Sequence, residues 1–170
     1  MSYGAILETP RLLLRRHVME DTDALEKVLG DPVAMEFYPA ALDRRGVEEW
    51  ITKNVARYQS DGFGKWAVVL KSTGEVVGSC GCALQEVEGR NEIEVGYNMR
   101  RDLWGRGYAT EAARACMEYG FTRLGARRVI SMIRPTNIAS RRVAEKNGLA
   151  CEKIIFWRDY DHCIYAKTKL

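Results

Sequence analysis

The chain has 170 residues, the length of one domain, and its 46% hydrophobic and 29% charged residues are typical of a globular protein rather than a disordered one. A formal net charge of +3 is too small to indicate a nucleic-acid partner. No apolar run approaches the ~18 residues of a membrane span, and residues 1–10 lack the basic and apolar regions of a signal peptide. We therefore expect one domain over residues 1–170, with neither nucleic acid nor membrane as a partner.

The five cysteines are odd in number and lack the paired spacing of a zinc site or a disulfide framework. Cys80 and Cys82 flank Gly81 in a predicted strand, so both side chains point to one face. The two histidines, His17 and His162, lie far away in sequence. Small buried hydrophobic side chains are the better interpretation of most of these thiols. The sequence thus predicts no metal site and a reducing, cytoplasmic setting.

The N-terminal half predicts a strand, two helices and then three strands. Residues 11–15 form the first strand, and Asp21-Thr22-Asp23 supplies the cap of a helix that ends at Gly30. A second helix begins near Gly46 and ends before Gly62, because the apolar residues between them recur at helical spacing. The three strands are residues 65–70, 75–84 and 92–99, with a hairpin turn at residues 72–74.

The C-terminal half predicts helices that alternate with strands. The clearest helix spans residues 109–124, with apolar residues on one face and charged ones, Glu111 among them, on the other. Asn137 caps a shorter helix that closes at Asn147-Gly148. Further strands are predicted at residues 127–133, 154–158 and 163–168. The order β-α-α-β-β-β-α-β-α-β-β gives an α/β (mixed α+β) fold, with a mostly antiparallel central sheet flanked by helices.

Residues 104–112 (Trp-Gly-Arg-Gly-Tyr-Ala-Thr-Glu-Ala) join a strand to the clearest helix. Gly105 and Gly107 ease a tight turn and leave N–H groups uncovered at a helix N-terminus, which suits a phosphate or pyrophosphate. Arg106, with Arg100 and Arg101 upstream, adds positive charge. A glycine turn that merely starts a helix is the simpler alternative. A P-loop or a dinucleotide fingerprint is weaker, because Gly-Lys-Ser/Thr and a third glycine are missing.

A second polar segment, residues 134–149, opens and closes the following helix. Asn137 is a helix cap, a ligand contact or both, since its amide oxygen and nitrogen can serve different partners. Together the two segments resemble the GNAT acetyltransferases, and within them the Rim-type ribosomal-protein N-terminal acetyltransferases. Residues 104–109 match the family's pyrophosphate loop, Gln/Arg-x-x-Gly-x-Gly/Ala, except that Trp104 replaces the first Gln or Arg, as in the Rim-like branch. The other matching segments are Thr9-Pro10-Arg11-Leu12-Leu13-Leu14-Arg15, Glu94-Val95-Gly96-Tyr97, Asn137-x-x-Ser140 and Glu145-Lys146-x-Gly148.

The resemblance implies acetyl-coenzyme A as the co-substrate, without a metal. The strand that ends at Asn98 and Met99 would pair its backbone with the pantetheine arm. The glycine loop would hold the pyrophosphate, Asn137 would bind the pantetheine amide, and Ser140 would lie near the sulfur. The cofactor-binding residues that it implies are Asn98, Met99, Trp104, Gly105, Arg106, Gly107, Tyr108, Ala109, Thr110, Asn137 and Ser140.

The resemblance also implies direct attack of a neutral amine on the thioester in a ternary complex. Glu94 is the first candidate for the base, because the family's strand carboxylate occupies this place; a solvated or salt-bridged glutamate is the alternative. A backbone N–H near Met99 is the expected donor to the oxyanion. The further candidates for the base are Glu92, Asp159 and Asp161.

The acid that protonates the departing thiolate is the least defined part of this mechanism. Some GNAT enzymes use a tyrosine seven residues beyond the asparagine of the second segment, but Ala144 occupies that position here. Ser140 is the best substitute by its match to the Rim-like pattern, and Tyr160 comes after it.

The function predicted is therefore an N-acetyltransferase that acts on a primary amine, either a protein N-terminus or a small molecule. The alternative is a catalytically silent module that binds or senses acyl-coenzyme A, because both proteins would share the cofactor motifs. A homodimer is compatible with the family resemblance. Four acidic residues raise the alternative of a cationic acceptor, although solvated helix surface explains them more simply: Glu36, Asp43, Glu48 and Glu49.

Overall fold

A computed structural model describes residues 4–170, so residues 1–3 of the predicted domain lie outside the described part. The strands are β1 (Ala5–Glu8), β2 (Leu12–Arg15), β3 (Lys65–Leu70), β4 (Val76–Val87), β5 (Arg90–Met99), β6 (Arg128–Ile133), β7 (Ala150–Trp157) and β8 (Tyr160–Thr168). The helices are α1 (Thr22–Leu29), α2 (Arg44–Ser60), α3 (Tyr108–Thr122) and α4 (Ile138–Lys146). Within residues 4–170 the strands form one eight-stranded sheet in the order β1-β2-β3-β4-β5-β6-β8-β7, in which only β5 and β6 run parallel. The predicted mixed α/β fold with a mostly antiparallel sheet is confirmed.

The predicted element order lacks β1 and is wrong at this point. β1 lies at the edge of the sheet and pairs antiparallel with β2, with an irregularity between Ala5 and Leu7. A strand of four residues with an irregularity inside it has no regular alternation of apolar and polar residues, so its sequence carries no strand signal. The observed order is β-β-α-α-β-β-β-α-β-α-β-β.

α2 begins earlier than predicted, whereas α1 begins at the predicted place but without the predicted side-chain hydrogen bond. α2 begins at Arg44 rather than near Gly46, because the Asp43 carboxylate accepts a hydrogen bond from the Gly46 N–H at 2.8 Å. For α1 the predicted cap position is confirmed, but a capping hydrogen bond from its side chain is not. Asp21 occupies the N-cap position, but its carboxylate makes no capping hydrogen bond to α1 and instead accepts two hydrogen bonds from Arg15.

This Asp21–Arg15 pair belongs to a buried polar cluster between β2, α1 and β4. The Arg15 guanidinium donates to the Asp21 carboxylate oxygens at 2.9 and 2.8 Å, and Asp21 is only 4% exposed. Burial opposes the ionisation of Asp21, but hydrogen bonds from Arg15 and from the Val18 N–H, with His17 Nδ1 3.6 Å away, outweigh it and hold the Asp21 pKa well below its ordinary value. Nε2 of the buried His17 lies 3.0 Å from the Ser79 hydroxyl, and burial lowers the His17 pKa.

Helices cover both faces of the sheet. α3 packs closely on one face, where a methyl group on Gly120 would lie 3.2 Å from Val129 Cγ2. Cys80 and Cys82 point to this face, as predicted, and contact Cys116 through its Sγ at 3.5 Å and its carbonyl oxygen at 3.3 Å. α1 and α2 cover the opposite face with a second apolar cluster, which contains Leu25, Val28, Leu29, Met35, Val47, Ile51, Ala67 and Val76.

The parallel pair β5–β6 is short and opens into a gap. Pairing is limited to Ile93↔Val129 and Glu94↔Ile130, although β5 continues to Met99. Because the carboxyl ends of parallel strands meet at one edge of the sheet, the segments that lead into α3 and α4 start at the same edge. This gap, called the β5–β6 split below, is where the fold brings the two polar segments of the sequence together.

Candidate active site

Backbone groups of β5 line the β5–β6 split. The Arg100 N–H donates to the Val77 carbonyl at 2.8 Å, so by the alternation of an antiparallel ladder every second residue of β5 points its N–H and C=O away from β4. The residues concerned are Val95, Tyr97 and Met99. Val95 is closed on this side, because its carbonyl accepts a hydrogen bond from the Ser131 hydroxyl of β6 at 2.7 Å. Tyr97 and Met99 pair with no β6 residue, and their backbone is an edge with which an extended ligand can pair. The backbone of Asn98 is directed toward Ser79 of β4, so only its side chain is available to a ligand.

The turn from β5 into α3 uses two glycines in the left-handed region of φ. Gly105 has a φ of 76° and Gly107 a φ of 82°, values that other residues rarely adopt. Gly107 is the N-cap of α3, so the N–H groups of Tyr108, Ala109 and Thr110 belong to the first turn, where they have no acceptor within the helix. The helix dipole adds partial positive charge at this end. The turn therefore has the geometry of an anion site beside the β5–β6 split.

Arg11 holds this turn from the connection between β1 and β2. Its Nε donates to Glu111 Oε2 at 2.7 Å, and its Nη1 donates to the Arg106 carbonyl at 2.9 Å. Its guanidinium also lies 4.4 Å from the centre of the Tyr108 ring. The Thr9 hydroxyl donates to Glu111 Oε1 at 2.6 Å. These contacts, called the Arg11–Glu111 clamp below, fix the glycine turn to the start of α3.

The amphipathic pattern places Glu111 on the solvent face of its helix, and this interpretation misses the clamp. The Glu111 side chain is 16% exposed, and its hydrogen bonds with Thr9 and Arg11 outweigh the effect of burial and lower its pKa. The two halves of the clamp lie 100 residues apart in sequence. Their only signal in the sequence was that both segments match the family pattern.

The arginines near the glycine turn differ in their partners. Arg100 pairs with Asp102 at 2.7 Å and Arg101 with Asp31 at 3.0 Å, so the charge of each is already compensated by a carboxylate. Arg106 is exposed at the turn itself. Of the three arginines with a predicted phosphate contact, Arg106 is therefore the best placed.

Trp104 connects the glycine turn to the end of β5. Its indole Nε1 donates to the Met99 carbonyl at 2.9 Å, while the side chain remains 47% exposed. The hydrogen bond uses the Met99 carbonyl and leaves the Met99 N–H on the split side of β5. Trp104 thus positions the strand end that carries the expected oxyanion donor.

Asn137 caps α4 and uses its oxygen in doing so. Oδ1 accepts a hydrogen bond from the Ser140 N–H at 3.2 Å, which leaves Nδ2 to donate elsewhere. The cap is thereby confirmed, and the ligand contact stays a prediction. The Ser140 carbonyl accepts the Tyr97 hydroxyl at 2.9 Å, and this bond joins α4 to β5 across the β5–β6 split.

The position of the family's tyrosine and the second candidate acid, Tyr160, lie on different elements. Ala144, at the place of the family's tyrosine, is buried and lines a small apolar cavity together with Val95 and Tyr97. Tyr160 lies at the start of β8, with its ring 3.7 Å from the Arg134 guanidinium carbon. Ala144 supplies no proton, which leaves Ser140 and Tyr160 as candidates.

Glu94 lies on the face of the sheet opposite α3. Because Val95 packs into the α3-side core, the neighbouring Glu94 side chain points toward the face that α1 and α2 cover. Burial raises the Glu94 pKa, and the charge of Lys65 and a hydrogen bond from the Met132 N–H oppose the rise, as do the charges of Arg158 and Arg57. A carboxylate with a raised pKa is a better proton acceptor near neutral pH.

The other candidate bases lie in different surroundings. Glu92 pairs with Arg128 at 3.3 Å, whereas none of the ion pairs within 4.0 Å in residues 4–170 involves Glu94. Asp159 is in the turn between β7 and β8, and both it and Asp161 are exposed. The salt-bridged alternative therefore describes Glu92 and not Glu94.

In residues 4–170, no group of three or more His, Cys, Asp or Glu side chains could hold a metal ion. The five cysteines are free thiols, and Cys151 is the exposed exception to the buried interpretation. The helices of this described part are all too short or too polar to cross a membrane.

Comparison with known proteins bears directly on this site. A family model described as "Acetyltransferase (GNAT) domain" matches residues 11–150, which include β5, the glycine turn, α3 and α4. The chain is 40% identical to the protein YkkB of Bacillus subtilis (strain 168) over 152 residues, 88% of this chain and 87% of YkkB. It is 31% identical to the N-acetyltransferase p20 of Bacillus licheniformis over 160 residues, 91% of this chain and 86% of p20.

The fold is also that of a solved Rim-type enzyme. RimL, a ribosomal L7/L12 α-N-protein acetyltransferase solved in complex with coenzyme A, superposes with a TM-score of 0.75 over 97% of this chain and 98% of RimL. At 18% identity this likeness concerns the fold. With the family model covering most of the sequence and the site built from the same segments, the chain belongs to the GNAT acetyltransferases, the N-acetyltransferases that use acetyl-coenzyme A.

Proposed function

We propose that this chain transfers the acetyl group of acetyl-coenzyme A directly to a primary amine in a ternary complex. The observation that carries the proposal is the β5–β6 split, which has the free backbone edge of Tyr97 and Met99 on one side and the anion site at Gly107 at its end. The edge would pair with the pantetheine arm, and the first turn of α3 would hold the diphosphate. Residues 1–170 would act as one domain in this reaction.

The donor needs three further contacts. Nδ2 of Asn137 would donate to a pantetheine carbonyl, since its Oδ1 is occupied by the α4 cap. Trp104 and the Arg11–Glu111 clamp would fix the two ends of the glycine turn. Arg106 would add charge to the diphosphate site.

The acceptor would enter from the face on which Glu94 lies. The amine nitrogen attacks the thioester carbonyl carbon only when it is neutral, and Glu94 takes the proton directly or through one water molecule. A lysine-like amine, with a pKa of ~10.4, gains more from this base than an α-amino group of ~7.7–8.0. The Met99 N–H donates to the oxyanion of the tetrahedral intermediate. The C–S bond then breaks, and the Ser140 hydroxyl passes a proton from solvent to the thiolate, while Glu94 returns the proton of the amine to solvent.

The test is thiol release from acetyl-coenzyme A over a panel of protein N-terminal peptides and small amines, with mass spectrometry of the products. Glu94→Gln should lower kcat by about 100-fold or more, the range for loss of a general base, and leave the acetyl-coenzyme A Kd unchanged. It should also remove the acidic limb of the pH–rate profile. Glu92→Gln is the matched control and should retain wild-type kcat.

Two outcomes would overturn parts of this proposal. Tight binding of acetyl-coenzyme A with no transfer to any amine would favour the catalytically silent module. An unchanged pH profile in Glu94→Gln would remove Glu94 as the base while leaving the transfer reaction intact.

Three finer points belong to the same proposal. The acceptor is a protein N-terminus or a small-molecule amine, and the Rim-type fold favours testing peptides first. A homodimer is compatible with acetyl transfer, and sedimentation of the pure protein tests it. The free thiols of all five cysteines support a reducing, cytoplasmic setting.

A further inference from the structure

The Lys65 side chain extends from β3 over β4 to β5, on the acceptor side of the β5–β6 split. It pairs with Gly81 on β4, and Gly81 pairs with Gly96 on β5, so the three residues form one row across three strands. A methyl group on Gly96 would lie 3.1 Å from both Cε and Nζ of Lys65. The absence of side chains at these two glycines is what lets the lysine lie flat over the row, with its ammonium group above β5.

Tyr58 of α2 fixes the backbone of Lys65. The buried Tyr58 hydroxyl of α2 donates to the Lys65 carbonyl and accepts a hydrogen bond from the His17 N–H at 3.1 Å. The strand position from which the side chain starts is therefore held by the packing of α2 on β3. Because its backbone is anchored, the Lys65 side chain is expected to keep one direction and not to move freely in solvent.

The ammonium group of Lys65 belongs to a group of cations without carboxylate partners. None of the ion pairs within 4.0 Å in residues 4–170 involves Lys65, Arg57 or Arg158. All three nevertheless act electrostatically on the Glu94 carboxylate, Lys65 most strongly. Three positive charges thus act on the Glu94 carboxylate, an arrangement that attracts anions.

Of the four acidic residues that favour a cationic acceptor, Glu36 is exposed and follows Met35, which contacts Asn98 of β5, whereas the other three have structural partners. Asp43 caps α2 through Gly46. Glu48 pairs with Arg44 at 3.6 Å and Glu49 with Arg45 at 3.1 Å along α2. The charges that act on the Glu94 carboxylate are positive, and they favour an anionic acceptor over a cationic one.

We propose that Lys65, assisted by Arg57 and Arg158, binds an anionic group of the acceptor next to the amine that is acetylated. The inference rests on the proposed function, since it places the acceptor on the Glu94 face of the split. The ligand is a carboxylate or phosphate within a few bonds of the amine, as in an acidic N-terminal peptide. The anionic group of the acceptor contacts the Lys65 ammonium while its amine contacts the Glu94 carboxylate, so one acceptor molecule pairs with both charged groups.

The experiment compares acceptors that differ only in one negative charge. The acceptor pairs are peptides with Asp or Asn at the second position, and β-alanine or its amide. Each pair is assayed with the wild type and with Lys65→Met, a substitution that keeps the length of the side chain. For the wild type, kcat/KM should be higher for the anionic member of each pair and should fall with added salt. In Lys65→Met, kcat/KM for the anionic members should fall about 10- to 100-fold, the loss of one charged hydrogen bond. The neutral members should change less than about 3-fold.

Lys53→Met, an exposed position on α2, is the matched control and should behave as the wild type. Equal kcat/KM for anionic and neutral acceptors in the wild type would overturn the inference while leaving acetyl transfer intact. An equal loss of kcat/KM for anionic and neutral acceptors in Lys65→Met, together with a shifted pH profile, would also overturn it. Lys65 would then act only on the pKa of Glu94. Failure of every amine, with acetyl-coenzyme A still bound, would instead overturn the proposed function.

Discussion

The Arg11–Glu111 clamp acts at the scale of single residues, because one guanidinium contacts both the carbonyl of the glycine turn and the first turn of α3. Arg11→Met should free the turn and raise the KM for acetyl-coenzyme A about 10-fold, the loss expected for one or two charged hydrogen bonds. Acetyl-pantetheine has no diphosphate, so its kcat/KM should stay unchanged. Steady-state kinetics with both donors measure the difference.

Arg45→Met, which removes an exposed ion pair on α2, serves as the control for this prediction. An equal loss with both donors would mean that Arg11 supports the fold in general and does not position the diphosphate site.

The residues of the site were predictable to different degrees. Gly105, Gly107 and Asn137 have local signals, a left-handed turn and a helix cap, and the structure has them in these conformations. Lys65 has no such signal, because its position depends on two glycines of neighbouring strands. Contacts made between distant segments leave no pattern in a single sequence.

At the scale of elements, the start of α3 combines a backbone requirement with a charge effect. The N-cap Gly107 has a φ of 82°, which a residue with a side chain adopts at a cost of about 1 kcal/mol or more. Gly107→Ala should therefore shift the turn and weaken coenzyme A binding about 5-fold or more. Isothermal titration calorimetry measures the Kd.

Gly89→Ala is the matched control, since Gly89 has a φ of 75° in the β4–β5 turn and carries the same backbone cost away from the site. If Gly89→Ala weakened coenzyme A binding as much as Gly107→Ala, the effect would come from global strain. The anion site at α3 would then lose its support.

The elements that were predicted correctly are those whose pattern is long. The amphipathic α3 and the alternating β5 were located within two residues at each end, because eight or more positions repeat one period. β1 was missed, and β7 begins at Ala150, four residues before its predicted start, because most of its residues are exposed at the sheet edge. Sequence periodicity reports burial, and edge strands have little of it.

At the scale of the whole molecule, the buried cluster of Asp21 joins β2 to α1 and affects global stability. The depressed Asp21 pKa means that its contribution is present above the unfolded value of ~3.9 and is lost as the pH falls below it. Asp21→Asn should therefore lower the free energy of unfolding at pH 7 by about 3 kcal/mol, since it removes the negative charge from a buried ion pair with Arg15. Urea unfolding at several pH values measures this difference, which should shrink below pH ~4.

Asp23→Asn is the control, because Asp23 is 80% exposed in its pair with Arg44, and it should leave stability nearly unchanged. The lowered pKa of His17 also reduces the free energy of unfolding as the pH falls below ~6.5, because the unfolded chain binds the proton first. This effect has the same sign in the wild type and in Asp21→Asn. A stability difference between wild type and Asp21→Asn that did not shrink at all between pH 5 and pH 2 would contradict the assignment.

The β5–β6 split is an aperture between two neighbouring strands of the sheet. In the proposed complex the acetyl donor lies along one rim of the aperture, and solvent from the acceptor side reaches the thioester only through it. An amine that fills the aperture excludes water from the same opening at the moment of attack. Hydrolysis of the donor would thereby be limited while an acceptor is bound.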